Sequence, residues 1–185
     1  MPAPLIHLNG PPGVGKLTIG RHLVPMIGAR LLDNHSVYDV AFALTEFRSP
    51  EFYETVRAVR NLAYARILSL PPSVSVIITG ADFEDSDWGQ ESWNEVLALA
   101  TRRGGILLAV HLSCDPAEHR RRIVTEGRIA RGKLSDPTGV EDLSRRRLAG
   151  QGAAQTLNLD ITQQSADRVA GRIVDWLSSN HLRPV

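Results

Sequence analysis

The sequence predicts an α/β fold of three layers, in which helices cover both faces of a five-stranded parallel sheet. Short apolar runs of the kind that is buried on both faces alternate with longer segments of helical periodicity. The segments between successive strands are long enough to hold the crossover helices that parallel strands require. The chain has 185 residues, so we expect one domain over residues 1–185.

The predicted elements follow one another in a regular order. The strands cover residues 4–9, 29–32, 73–79, 105–113 and 157–161. The first helix covers 15–28 and the last covers 165–179. Residues 36–70 have a helical pattern that breaks near Ser49 and Pro50, a pair typical of an N-cap followed by the first helical residue. A helical insert therefore separates the second strand from the third.

The first predicted strand leads into a glycine-rich loop with the composition of a phosphate-binding site. Its glycines allow turns in which successive N–H groups point at a polyphosphate, and Lys16 adds a positive charge. The helix that starts here adds the partial positive charge of its N-terminus. The spacing Gly10-x4-Gly15-Lys16 fits the Walker A pattern, which predicts a fold of the P-loop NTPase type. The residues expected to contact a nucleotide in this loop are Gly10, Pro12, Gly13, Val14, Gly15, Lys16, Leu17 and Thr18.

Leu17 stands where the Walker A pattern has a serine or threonine. The missing hydroxyl is the group that ligates Mg²⁺ between the outer phosphates, and leucine cannot replace it. Thr18 could bind the inner phosphate or hold the metal through a water. Asp82, which follows the third predicted strand, could also hold Mg²⁺ through water. We therefore predict ATP and Mg²⁺ as cofactors, with Thr18 and Asp82 as the candidate metal-binding residues.

Composition and charge argue against several classes of function. The net charge of +1 gives no overall field to recruit nucleic acid or anionic lipid, although basic residues exceed acidic ones between 118 and 147. No apolar run approaches the roughly 20 residues of a membrane span. A single cysteine, Cys114, excludes an internal disulfide and fits a reducing compartment. We expect a cytoplasmic protein, either a monomer or a homodimer, without a membrane partner.

Nearly the whole chain resembles the small P-loop kinases of the nucleoside-monophosphate-kinase-like group, which include shikimate kinase, gluconate kinase and chloramphenicol phosphotransferase. Besides the loop, the similarity rests on a strand and arginine-bearing helix at 110–122, on the segment 127–134 and on the last strand and its loop at 157–162. The resemblance implies a helical lid at about 124–137 and an acceptor-binding insert at about 36–70. It also implies an ATP-dependent kinase.

Phosphoryl transfer requires positive charge around the transferring group. Lys16 supplies the first charge. Arg128 and Arg131 lie three residues apart in the predicted lid and could close together over the outer phosphates. The resemblance places Arg121 or Arg122 against adenine, where a planar guanidinium can stack. These arginines and Lys16 form the predicted cationic part of the site.

The transfer also requires a group that accepts the proton of the acceptor hydroxyl. Asp33 ends the second strand, where the resembling kinases place this carboxylate, although an aspartate there is often a helix cap. His35 could transfer a proton as well. Arg57 and Arg60, at helical spacing in the insert, could hold an anionic or polyhydroxyl substrate or form a solvated face. The predicted substrate-binding residues are Asp33, His35, Arg57, Arg60 and Asp82.

The predicted function is ATP-dependent phosphotransfer to a small hydroxylated molecule, which could be a sugar acid, a nucleoside or an antibiotic. Trp88 and Trp93 could line the acceptor pocket or serve as packing residues. One alternative is a nucleotide-binding regulator or NTPase with weak or no transfer, in which Leu17 reflects weakened catalysis. A second is a nucleic-acid kinase or RNA-binding module that uses the basic stretch, although the low aromatic content disfavours nucleic acid as a partner.

Overall fold

A computed structural model describes residues 2–124 and 140–180. Five strands form one parallel sheet: β1 Leu5–Asn9, β2 Arg30–Leu32, β3 Val76–Gly80, β4 Leu107–Ser113 and β5 Gln155–Asp160. The described residues contain seven helices: α1 Lys16–Ile27, α2 Asn34–Leu44, α3 Pro50–Leu68, α4 Asp87–Arg102, α5 Pro116–Ile123, α6 Val140–Arg145 and α7 Ala166–Ser179. The strands lie side by side in the order β2, β3, β1, β4, β5.

The central strand β1 is buried on both faces of the sheet. Its first residue, Leu5, lies opposite Val76 of β3 and Leu107 of β4. Ile6 and Leu8 pack into a core shared with α1 and α7, whereas Leu5 packs into a second core shared with α3 and α4. Because successive strand residues point to opposite faces, one apolar run supplies both cores. The predicted three-layer arrangement is confirmed.

The predicted boundaries differ from the structure by up to three residues. The strand predicted from 73 begins at Val76, because the preceding residues form a turn in which the Val74 N–H donates to the Pro71 carbonyl. The last strand begins two residues before the predicted 157. The predicted start of α3 is confirmed, since the Ser49 hydroxyl accepts a hydrogen bond from the Phe52 N–H.

Two further predictions concern the lid and the membrane. The predicted lid at about 124–137, with Arg128 and Arg131, lies outside the described residues except for Val124. Across 2–124 and 140–180, none of the helices is long and apolar enough to cross a membrane.

The order of the strands decides where the polar residues meet. In a parallel sheet all carboxyl ends lie at one edge, and ligands bind there. The loop after β1 lies in the middle of this edge, with Asp82 following β3 beside it. Asp33 follows β2 at one side of the sheet, and Ile161 follows β5 at the other. A site at this edge therefore has a centre and two distinct ends.

Candidate functional site

A cleft of about 1000 Å³ runs along the carboxyl edge of the sheet. Residues 12–19 of the loop and of α1 line its centre. Towards β5 the lining residues are Arg122, Ile161, Gln164, Ala166 and Val169. Towards β2 they include Asp33, His35, Tyr38, Phe42, Phe47, Phe52, Tyr53 and Trp88. These two groups of residues define what we call the β5 end and the β2 end of the cleft.

The loop at the centre is shaped by its glycines. Gly13 and Gly15 adopt φ angles of 93° and 116°, in the left-handed region that side chains with a Cβ rarely enter. A Cβ on Gly10 would lie 2.6 Å from the carbonyl oxygen of Leu112 on β4. No described side chain caps α1, and its first turn has no acidic residue. The first N–H groups of the helix therefore remain directed at the cleft, as an anion site requires.

Three cationic or imidazole side chains hold the carbonyl groups of this loop. The Lys16 ammonium donates to the carbonyl oxygens of Gly10 at 2.6 Å and Pro11 at 2.9 Å. His119, buried on α5, donates from Nε2 to the Pro12 carbonyl at 2.7 Å. The Arg122 guanidinium donates to the Val14 carbonyl at 2.9 Å. With their carbonyls engaged in this way, the loop residues can present their N–H groups to a ligand.

Asp33 occupies the N-cap position of α2, but its side chain does not cap that helix. Its Oδ1 instead accepts a hydrogen bond of 2.8 Å from the Thr79 hydroxyl at the end of β3. That hydroxyl accepts in turn from the Asn34 N–H at 2.9 Å. The carboxylate is thereby fixed in the wall of the cleft, where it could accept a proton. His35 also lines the cleft, with Nδ1 3.1 Å from Asp39 Oδ1.

Asp82 is buried at the cleft beside the loop. Asn9, the last residue of β1, fixes its backbone, accepting from the Asp82 N–H and donating to the Asp82 carbonyl, both at 2.9 Å. The Asp82 Oδ2 lies 3.1 Å from His7 Nε2 but has no hydrogen-bond partner with suitable geometry in the described part of the chain. This buried carboxylate oxygen therefore retains the capacity to accept a bond.

The oxygen ligands at the centre of the cleft fit a Mg²⁺ ion whose other ligands are mainly phosphate oxygens and waters. Thr18 is exposed and lines the cleft, as do Leu17 and Asp82. The described residues contain no group of three or more histidine, cysteine or acidic side chains that could hold a metal by themselves. Because Mg²⁺ keeps several waters and often binds one carboxylate plus phosphate oxygens, a site with one buried carboxylate and one hydroxyl suits it.

The β2 end is lined by aromatic rings. Seven of the ten phenylalanine, tyrosine and tryptophan residues of the chain line the cleft. Trp88 Nε1 donates to the Tyr38 hydroxyl at 2.7 Å. Burial raises the pKa of Tyr38 to about 12, an effect that the Trp88 hydrogen bond only partly offsets. The Tyr38 hydroxyl therefore keeps its proton at neutral pH and can still donate it to a ligand.

Comparison with known proteins agrees with this geometry. The family model AAA_18, described as an AAA domain, matches residues 6–142. The chain belongs to this family. The match includes the glycine-rich loop, Asp33, Asp82 and the arginine-bearing helix α5. Family membership therefore covers the centre of the cleft and most of its lining.

This AAA-family chain is similar in sequence to curated kinases and similar in fold to several solved structures. The cytidylate kinase of Corynebacterium efficiens is 29% identical over 126 residues, which are 67% of this chain and 55% of that protein. The chain thus spans about half the length of the curated relatives it matches. The tunicamycin resistance protein of Deinococcus radiodurans superposes with a TM-score of 0.63 at 17% identity over 95% of each chain.

A second solved structure extends the likeness. Shikimate kinase of Acinetobacter baumannii superposes with a TM-score of 0.57 at 22% identity, covering 98% of this chain and 96% of its own. At these identities the superpositions show the fold, which is that of the small P-loop kinases. The resemblance expected from the loop and the later motifs is therefore confirmed.

In this kinase-like fold the two neighbouring arginines of α5 have different positions. The Arg122 side chain is 21% exposed and lines the cleft, where it also donates to the Ile161 carbonyl at 3.0 Å. The Arg121 side chain is 75% exposed and is not among the described lining residues. Both donate to Glu118. These hydrogen bonds lower the pKa of the Glu118 carboxyl, and the bond from Arg122 has the larger effect. The structure thus brings only Arg122 to the cleft.

Arg57 and Arg60 are not among the described residues that line the cleft. Both donate to the Glu91 carboxylate, at 2.7 Å and 3.0 Å, and Arg60 is buried. Their guanidinium groups lie 5.1 Å and 5.2 Å from the centre of the Trp88 ring. The two arginines therefore hold Trp88 in place in the wall of the cleft. The structure does not bring them together with Asp33 and His35 as the sequence predicted.

Several residues at the cleft are absent from the sequence-based predictions. Thr79, which orients Asp33, is the polar residue near the end of an otherwise apolar strand, and this pattern could have identified it. His119 gives no such signal. Arg48 and Arg146 line the cleft and stack on Phe47 and Phe83. Further unpredicted lining residues include the aromatic ones: Tyr38, Phe42, Phe47, Phe52, Tyr53 and Phe83.

Of the two tryptophans considered from the sequence, only one reaches the cleft. Trp88 lines it, with its ring 4.7 Å from that of Tyr53. Trp93 is buried in the core between α3, α4 and the sheet, where its ring contacts His7 edge-on at 5.3 Å. Trp93 is thus a packing residue.

Proposed function

We propose that the protein is an ATP- and Mg²⁺-dependent phosphotransferase that acts on a hydroxyl group of a small molecule. One observation carries the proposal: the phosphate-binding loop and the Asp33 carboxylate line the same cleft, at the carboxyl edge of one sheet. An enzyme of this kind needs a cradle for the nucleotide phosphates and a group that takes the proton of the attacking hydroxyl. Kinases among the relatives support phosphotransfer, without indicating its acceptor.

Different residues of the cleft bind the phosphates, the metal and the adenine in this proposal. The N–H groups of the loop and of the first turn of α1 bind the phosphate oxygens, and Lys16 balances charge on the transferring group. Asp82 and Thr18 would hold Mg²⁺ through water, and the ion would supply positive charge for the phosphates. Arg122 lies at the β5 end, where adenine is expected. The lid residues Arg128 and Arg131 stay predictions.

Asp33 acts at the other side of the transferring group. As the acceptor oxygen forms its bond to the terminal phosphorus, the bond from phosphorus to the departing ADP oxygen breaks and the hydroxyl proton passes to the Asp33 carboxylate. Thr79 orients that carboxylate through the bond to Oδ1. A cytoplasmic location, a single-domain organisation and a monomeric or homodimeric state belong to the same proposal.

The second candidate function is a nucleotide-binding regulator or an NTPase with little transfer. Leu17 favours it, because an aliphatic side chain lines the cleft where related loops carry the metal-binding hydroxyl. In this case ATP would bind at the loop, and water would be the only acceptor.

Label transfer distinguishes the two functions. The purified protein is incubated with Mg²⁺, a cell metabolite extract and ATP labelled at its terminal phosphate, and the label is followed by mass spectrometry. We expect labelled phosphate on a small molecule, and none when Lys16→Ala replaces the wild type. Label that appears only in free phosphate would overturn the kinase proposal in favour of an NTPase, and label that stays in ATP would favour a nucleotide sensor.

A further inference from the structure

The aromatic residues of this chain are concentrated at one place. Aromatic side chains make up 5% of the sequence, and both large cores around the sheet consist mainly of aliphatic residues. Yet seven of the ten rings line the cleft. Four of the seven also pack in a small third core between α2 and α3: Tyr38, Phe52, Tyr53 and Trp88. Core packing does not account in the same way for the exposed rings of Phe42 and Phe47, which call for an explanation based on what the cleft binds.

Two of these rings are exposed. Phe42 in the last turn of α2 is 44% exposed, and Phe47 in the following loop is 62% exposed. Their centroids lie 5.7 Å apart, and each lies within 5.3 Å of the ring of Phe52, which is buried. A contiguous exposed apolar surface on a buried anchor is typical of a binding site. The anchor also fixes the two exposed rings before any ligand arrives.

Charge at the β2 end disfavours an anionic ligand. Arg57 and Arg60 are already paired with Glu91, and Arg146 is paired with Asp85. The Arg48 guanidinium lies over the Phe47 ring, 5.0 Å from its centre, and stacks on one face of that ring. An acidic substrate at this end would lie near the Asp33 carboxylate and would have to compete with Asp85 for Arg146, whereas a planar uncharged group meets neither cost.

Polar groups occur at the inner border of this surface. Asp33 and His35 lie beside the rings in the same cleft, and the His35 ring stacks on Phe42 with centroids 6.3 Å apart. The protonated Tyr38 hydroxyl is a further donor. A ligand whose planar part lies among the rings would thus have its hydroxyl group directed towards the predicted base.

We propose that the acceptor is an uncharged alcohol that carries an aromatic ring, and that this ring stacks against Phe42 and Phe47 at the β2 end. The inference rests on the proposed function for the role of the hydroxyl, but the ring-binding surface can be tested without any turnover. Nucleosides and phenyl-bearing alcohols share this chemistry. Sugar acids, polyols and nucleotide monophosphates do not.

The test is equilibrium binding followed by tryptophan fluorescence. Uridine, 1-phenyl-1,2-ethanediol, uridine monophosphate and gluconate are titrated separately, with the β5 end and the loop saturated by a non-hydrolysable ATP analogue. We expect the two neutral aromatic alcohols to change the emission and the two anions to bind at least about tenfold more weakly. Trp88→Phe removes the change, because Trp88 is the tryptophan in the cleft.

Matched variants locate the surface. Phe42→Ala and Phe47→Ala are expected to weaken binding of the aromatic alcohols about five- to tenfold, as loss of one ring contact implies. Leu44→Ala is the control, since Leu44 is 77% exposed on α2 and is not among the described lining residues. Thermal unfolding of all three variants is measured alongside, so that any loss of packing against Phe52 is separated from loss of binding.

Each outcome bears on the two proposals separately. Tighter binding of gluconate or uridine monophosphate than of the neutral aromatic alcohols, no response to either aromatic alcohol, or equal effects of Phe42→Ala and Leu44→Ala would overturn the proposal of an aromatic acceptor. Label found on a non-aromatic metabolite would do so as well while upholding the kinase. Binding of aromatic alcohols without any label transfer would support the surface and count against the kinase.

Discussion

The centre of the cleft and its β2 end are built by different means. At the centre, the groups that face a phosphate are backbone N–H groups, and the side chains of Lys16, His119 and Arg122 hold the loop from its carbonyl side. At the β2 end, the surface consists of side chains from α2, α3 and α4 and from the loop between α2 and α3. The first site depends on local spacing in the chain, and the second depends on how three helices pack together.

Replacing Lys16 tests whether the centre of the cleft works independently of the β2 end. We expect Lys16→Ala to lower ATP turnover at least about 10³-fold, because the variant loses both the hydrogen bonds to the Gly10 and Pro11 carbonyls and the positive charge that we propose balances the transferring phosphate. Binding of 1-phenyl-1,2-ethanediol at the β2 end should not change. Steady-state turnover and fluorescence titration measure the two effects. Arg21→Ala, an exposed cation on the same helix, is the control, and a similar loss there would remove the assigned role of Lys16.

The difference between the two regions explains how much of the site the sequence could predict. Gly10, Gly15 and Lys16 must stand at fixed positions for the backbone to fold around a phosphate, so their spacing alone identified the loop. Asp33 was found because it directly follows a strand, and the edge of a parallel sheet is where ligands bind. The strand order itself followed from no local pattern and required the structure.

The unpredicted residues act across large distances in the sequence. His119 contacts the loop at Pro12, 107 positions away, and Thr79 contacts Asp33, 46 positions away. The rings of Phe42 and Phe47 look like ordinary amphipathic or loop residues until the packing of α2 against α3 places them beside Phe52. Arg57 and Arg60 show the converse case, since their helical spacing suggested a substrate site but both pair with Glu91 of α4.

Asp33 lies where the two regions meet, so its replacement should affect chemistry without affecting either binding event. We expect Asp33→Asn to lower kcat about 10²-fold, a loss typical of removing a general base. The KM for ATP and the dissociation constant of the aromatic alcohol should stay within about twofold of wild type. Asp175→Asn, which changes an exposed carboxylate on α7 that is not among the described lining residues, is the control. A weakened ATP affinity with unchanged kcat would assign Asp33 to nucleotide binding.

A smaller effect separates the β5 end from the rest of the cleft. Arg122→Gln removes the hydrogen bonds to the Val14 and Ile161 carbonyls, so we expect ATP to bind about tenfold more weakly because the loop is less well ordered. Arg121→Gln serves as the control, since Arg121 shares the partner Glu118 but is largely exposed. Isothermal titration with an ATP analogue measures both. Equal losses in the two variants would mean that net charge, and not contact with the loop, determines the affinity.

The smallest expected effect concerns Glu118, which holds Arg122 in place from outside the cleft. Hydrogen bonds from Arg122 and Arg121 lower its pKa, so the folded state favours the ionised carboxylate. The resulting stabilisation is fully present above the usual glutamate pKa of about 4.3 and is lost as the pH falls through the lower value of the folded state. Because the arginine partners are partly or largely exposed, we expect Glu118→Gln to lower the free energy of unfolding by less than about 1 kcal/mol at pH 7. Urea unfolding at several pH values should show the two proteins converging below pH of about 4. A difference that stays constant down to pH of about 3 would mean that Glu118 acts through packing and not through its charge.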